Sequence, residues 1–292
     1  MTPGKDPRIS IIMVDGSFRE SYHSVDFFGK QTIPADDYEL LWVEYYDKVN
    51  PELIERVSKY PNFRMIALGK EGLYHSSYCF NAGIRASQGE LIFIPDADVV
   101  VEDYFLERAW ADHQANDKLV MYFYRYNEFE KDHLPEVNIE HLRKVCVLTN
   151  PSNYGSCLSV RKKWLLEING YEQHPTFGSG FHANGLDVYT RLKNLGLHVK
   201  WHPELRLYHP WHPGTLVPSP SYNSYTIQKI VINHRAVTLA TKPFQGIDFT
   251  QNSELPADLA TKIEAATRTE AAKSGHDGKF RKPFAKLRAL FQ

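Results

Sequence analysis

The amino-acid sequence predicts an α/β fold: a mainly parallel sheet flanked by helices, followed by a C-terminal extension. Three observations predict it. Four short apolar runs, Ile9–Val14, Leu40–Val43, Phe63–Leu68 and Leu91–Ile94, are separated by the helix-length segments Ser21–Gln31, Pro51–Tyr60 and Ser76–Ser87. Strand–helix–strand alternation of this kind needs crossover connections, and these make neighbouring strands parallel. The runs are apolar but for Ser10 and Arg64, as suits buried strands. Composition agrees: 292 residues with 42% hydrophobic and 24% charged side chains describe an ordinary globular chain with room for a large core.

The elements follow in order. Ile9–Val14 is the first strand, ending in the turn Asp15-Gly16-Ser17. Pro51 suits a first helical turn, where its missing N–H costs nothing. Beyond Asp98 the reading is a helix over Glu102–Asn116, a strand over Leu119–Tyr124, a strand over Ser156–Val160 and a helix over Trp164–Ile168. A helix over Asp187–Leu195 closes on Gly196 as C-cap, and two strands, His198–Trp201 and Arg206–His209, follow. The expected organisation is residues 1–98 as the first half and 99–215 as the second half of one domain, with 216–292 as an appended extension. Within that extension, Leu255–Ser274 reads as helical or partly disordered.

Bulk properties exclude some classes. A net charge of −1 gives no reason to expect nucleic-acid binding. Cys79, Cys146 and Cys157 form no CxxC pair and read as reduced thiols, which suits a cytoplasmic protein. The polar Met1–Arg8 stretch lacks the apolar core of a signal peptide, and no run of apolar residues is long enough to span a membrane. The stretch Gly278–Phe291 interleaves basic and apolar residues, a pattern that suits a helix on the anionic inner face of a membrane, or a solvated helix.

Chemistry concentrates at the end of the fourth strand, in Pro95-Asp96-Ala97-Asp98. Ligands of open parallel sheets bind beyond the carboxyl ends of the strands. Two carboxylates one residue apart can approach one divalent cation, Mn²⁺ or Mg²⁺, which in turn can bridge a diphosphate. An isolated DxD is more often a solvated acidic turn, so its setting decides. Here Ile9–Val14, Glu44, and the continuous stretch Asn81-Ala82-Gly83-Ile84-Arg85-Ala86-Ser87-Gln88-Gly89-Glu90 leading into Leu91–Asp98 resemble the family-two inverting glycosyltransferases of the GT-A fold. The resemblance covers about residues 8 to 213 and implies a GT-A-like, Rossmann-like domain.

It further implies a metal-dependent hexosyl transfer from a nucleotide-sugar donor, UDP preferred, to a saccharide or glycolipid acceptor. Glu44 would meet the base or ribose, Asp15 would line the same pocket, and Asn81 and Gly83 would lie near the nucleotide. Asp98 and Asp96 would hold the metal with a third ligand from Tyr208-His209-Pro210-Trp211-His212-Pro213, either His209 or His212. Asp187 would be the catalytic base, Glu172 its reserve and His182 a third choice; Asp187 also reads as a first-turn helix residue facing the macrodipole. The chain departs from the family pattern in Met13-Val14-Asp15-Gly16, in Cys79-Phe80 before Asn81, and in Asn184-Gly185 where the family has Glu-Asp. That last departure makes a catalytically silent nucleotide-sugar-binding module the alternative.

Overall fold

The computed structural model describes residues 6–129, 137–155, 157–177, 183–212, 224–248 and 254–273. Eight strands among them form one sheet. β1 (Ile9–Asp15) pairs in parallel with β2 (Tyr38–Glu44) and with β4 (Leu91–Ile94), and β2 pairs in parallel with β3 (Phe63–Ala67). β5 (Leu119–Asn127) carries the second half. It pairs antiparallel with β6 (Val147–Leu148) and β7 (Leu158–Arg161), and parallel with β8 (His198–His209). β7 also pairs antiparallel with β4, so a single sheet in the order β3-β2-β1-β4-β7-β5-β6, with β8 on the far side of β5, joins both halves.

Side-chain alternation divides the core into two layers. Ile9, Ile11, Met13, Leu40, Trp42, Phe93 and Phe123 face one layer, under α1 (His23–Phe28), α2 (Pro51–Ser58) and α4 (Phe105–Ala115). Ile12, Val14, Leu41, Ile92, Ile94 and Val160 face the other, under α3 (Ser76–Ala86), α6 (Lys162–Glu167) and α7 (Asn184–Asn194). Each such side chain taken fully from water contributes about 1.5–3 kcal/mol. Pro51 does open α2, and Asn50 caps it by accepting the Glu52 N–H.

Two details differ from expectation. The two strands predicted over 198–209 are one strand. Its register shifts opposite Phe123 and Tyr124, where His202 Nδ1 accepts the N–H groups of Glu204 and Leu205 around Pro203. A proline inside a strand is placed at such a bulge because it has no N–H to give the ladder. The helix α5 (Ile139–Val145) was not expected; Asn138 caps it by accepting the N–H groups of Glu140 and His141. The described part of the extension is helical and packs on the main body. α8 (Ser224–Thr238) and α9 (Ala257–Lys273) share a core of Ile227, Val231, Ile232, Leu259 and Ile263 with Phe177 of the main body. The basic stretch 278–291 lies outside the described residues, as do His182 and its neighbours 178–181. No helix among the described residues is long and apolar enough to cross a membrane.

Candidate active site

Asp15 ends β1, Glu44 ends β2 directly opposite it, and Asp96 and Asp98 follow β4, so parallel topology gathers four carboxylates at one sheet edge. Tethers hold the loop after β4 in place. Ser24 donates to the Ala97 carbonyl at 2.6 Å, and His23 Nε2 donates to the Asp98 carbonyl at 2.9 Å. That bond assigns the His23 proton to Nε2, leaving Nδ1 to accept from Ser21 Oγ at 2.7 Å. Val100 and Tyr208 exchange both backbone hydrogen bonds, which draws the end of β8 alongside Asp98.

This contact, between residues more than a hundred positions apart, creates the cluster. His209 Nε2 stands 3.5 Å from Asp98 Oδ1, His212 Nε2 stands 3.5 Å from Asp98 Oδ2, and the two Nε2 atoms are 3.2 Å apart. One oxygen and two nitrogens thus lie within 4.8 Å of one another. A carboxylate with two imidazoles is a donor set that fits a divalent first-row cation, so the residues present fit the ion the resemblance implies. Glu128 fixes the turn that carries both histidines: it accepts the Trp211 N–H at 2.7 Å while its own N–H donates to the His209 carbonyl.

Asp96 stands apart from this set. Its Oδ2 accepts from Arg125 Nη1 at 2.6 Å, with Cys157 Sγ at 3.9 Å. Arg19, which the sequence reading passed over, lies among the acids: Nη1 pairs with Asp98 Oδ2, and Nε is 3.7 Å from Asp15 Oδ1. Burial by itself would raise the Asp98 carboxyl, but Arg19 and then the two imidazoles outweigh it and hold it well below the ordinary range. Asp15 goes the other way. Burial, with the Glu44 charge adding to it, pushes it to about 7 against the pull of Arg19. Asp15 and Glu44 face each other across the ladder, where like charges are unfavourable. An arginine four residues after a strand-ending Asp was the one signal that would have flagged Arg19.

The nucleotide residues of the sequence reading are placed differently. Glu44 is buried and accepts from Trp42 Nε1 at 2.9 Å and from the N–H and hydroxyl of Ser17 at 3.0 and 3.2 Å, which ties down the loop after β1. Burial raises its carboxyl despite these bonds. Asn81 spends both ends of its amide on the Tyr171 backbone, donating at 2.9 Å and accepting at 2.7 Å. Gly83 lets α3 lie on β1, since a Cβ there would run into Ile12 Cγ2. In the structure Asn81 and Gly83 have packing roles.

The structure places both base candidates in a buried arginine network. Asp187 is fully buried; Arg191 donates to its Oδ2 at 2.9 Å and Arg235 of α8 pairs with its Oδ1. Glu172, the reserve, is 1% exposed. It pairs with the same Arg235 and accepts the N–H groups of His174, Phe244 and Gln245 at 2.8–3.0 Å. A base must reach the proton it takes, and in this arrangement both carboxylates are enclosed and held by arginines. Arg235 carried no sequence signal, because its partners are 48 and 63 residues away.

Comparison with known proteins completes the picture. Residues 46–168 match the family model described as glycosyl transferase family 2. The crystal structure of GalNAc-T7 with UDP, GalNAc and Mn²⁺ superposes with a TM-score of 0.60 at 11% identity, over 78% of this chain and 48% of that one. The chain thus spans about half the length of that relative. The crystal structure of S. aureus TarS 1–349 in complex with UDP gives a TM-score of 0.57 at 11% identity, over 94% of this chain and 74% of that one. No curated protein matches the chain in a sequence search. Residues 46–168 thus resemble the family 2 glycosyltransferases, and the architecture of the whole chain is that of the GT-A fold.

Proposed function

We propose that the chain transfers a sugar from a nucleotide-sugar donor to an acceptor hydroxyl, with Mn²⁺ or Mg²⁺ held by Asp98, His209 and His212. The observation that carries this reading is the convergence of those three side chains at the sheet edge where GT-A folds bind their ligand. The bound cation would offset charge on the departing nucleoside diphosphate. Arg125 holds Asp96 toward β5, from which it meets the site through charge rather than direct ligation. Glu44 and Asp15 form the floor below the nucleotide, Glu44 by ordering the Ser17 loop. UDP is the preferred nucleotide, because UDP accompanies both structural relatives. The acceptor is a saccharide or glycolipid hydroxyl in polysaccharide or glycoconjugate synthesis, and the family resemblance favours inversion. The three-part division into donor half, acceptor half and extension, and contact of the basic C-terminal stretch with the inner membrane face, are parts of the same reading.

A second reading, a silent nucleotide-sugar-binding module, is favoured by one observation: Asp187 and Glu172 are both locked to Arg235. Thermal melting with UDP, GDP and dTDP, each with and without Mn²⁺, tests what the two readings share. Ligand bound only to the folded state raises the melting temperature, by about 2.7 kcal/mol of stability at a hundredfold excess over Kd. A Mn²⁺-dependent rise with one nucleotide, abolished by Asp98→Ala, is expected; no rise with any nucleotide sinks both. Sugar release or transfer from the matching donor then separates enzyme from module.

A further inference from the structure

The cation-ligand set holds a positive charge of its own, and that charge stands in the way. Asp98 Oδ2 faces His212 at 3.5 Å, yet the same oxygen is paired with Arg19 Nη1. The guanidinium is nearly enclosed, with 11% of the side chain exposed. Its backbone is anchored through the Tyr22 hydroxyl, which donates to the Arg19 carbonyl at 3.0 Å. An arginine remains charged at any working pH, so it cannot leave Asp98 by losing a proton; it must exchange partners. Its fork matches a phosphate as well as a carboxylate.

We propose that Arg19 is a resident counter-cation that competes with the divalent ion for Asp98 and, once displaced, pairs with the diphosphate of the donor. This inference rests on the metal-dependent reading above. Metal-free protein keeps its acids neutralised: Asp15, Asp96 and Asp98 all lie close enough to sustain the Arg19 charge against burial. Cation entry adds two positive charges to the cluster and weakens the hold of Asp98 on the guanidinium. The anionic donor then offers Arg19 a new partner, so metal and nucleotide bind in a coupled order. The coupling is reciprocal, as any linkage between two ligands must be.

Arg19→Met removes the charge and keeps much of the apolar stem, and the two halves of the proposal predict effects of opposite sign. Mn²⁺ binding, read by electron paramagnetic resonance without nucleotide, should tighten at least about fivefold. UDP binding at saturating Mn²⁺, read by calorimetry, should weaken about tenfold, the loss of one charge-assisted contact. An arginine that only supports the fold would weaken both or leave the metal untouched. Should the Met variant not fold, Arg19→Lys carries the test. It keeps the charge but loses the fork, and should shift both affinities in the same directions by smaller factors. Wild-type Mn²⁺ binding that is lost in Asp98→Ala but not tightened by either Arg19 variant overturns the proposal and leaves the metal reading intact. Absence of Mn²⁺ binding in wild type and variants alike overturns both.

Discussion

Two acidic clusters stand in this molecule, and they differ in saturation rather than in composition. Glu172 and Asp187 are sealed in the second half: four donors meet Glu172, and two arginines meet Asp187. Asp98 sits at the sheet edge with Oδ2 paired to Arg19, while its Oδ1 is buried without a hydrogen bond of ordinary geometry and faces His209 at 3.5 Å. A carboxylate whose acceptors are all filled from inside the protein has nothing left for a ligand. One held beside imidazoles, with Arg19 as its counter-cation, retains capacity that a ligand can use. The first kind of site fixes a fold, and the second is the one proposed to bind the cation and the donor.

Breaking the sealed cluster should have the largest effect. Arg235→Met leaves Glu172 and Asp187 buried with one guanidinium fewer, and removal of one partner from a buried ion pair costs about 3–5 kcal/mol. The urea midpoint should fall accordingly, while folded protein still binds Mn²⁺ like wild type. A change under about 1 kcal/mol would show that the network is not structural.

Asp187→Asn sharpens the comparison from the other side. It should cost about 1–3 kcal/mol, because Arg191 and Arg235 lose their shared anion inside the protein. Transfer per folded molecule should stay within threefold of wild type. Loss of transfer at unchanged stability and donor affinity would return Asp187 to the role of base.

The smallest effect concerns Asp15 and follows pH. Its folded pKa, about 7, lies above its ordinary value of 3.8, so the folded state binds more protons between those values. The stability this contributes is complete below about pH 4 and is lost as pH rises through 7. Without added divalent ion, wild type should therefore lose on the order of 2 kcal/mol between pH 5 and 8 relative to Asp15→Asn. Parallel melting curves for the two proteins across that range would disprove the raised pKa.

Much of the donor half was legible because its signals are local. The apolar runs ending at Val14, Val43 and Ile94 became β1, β2 and β4 with small changes at their ends. Asp96-Ala97-Asp98 and the two histidines were legible as chemistry-bearing residues from type and spacing. Their sharing was not: spacing suggested Asp96 and Asp98 as a pair, whereas Asp96 turns to Arg125 and both histidines turn to Asp98. Asn81 and Gly83 stood out for resemblance to a nucleotide site, and close packing of α3 on β1 and on Tyr171 accounts for them.

The sequence by itself determined the sheet, its dominant strand direction and the acid-rich strand end. Those properties follow from periodicities of two and of about 3.6 residues, and from motifs contained in one stretch of chain. Only the tertiary structure decided which charges meet. Arg19, Arg125 and Arg235 reach their carboxylates across 79, 29 and 48 residues, and the Val100–Tyr208 pairing delivers the histidines. Partner choice among charges is set by distance and burial in the folded chain, and neither is written in any local pattern.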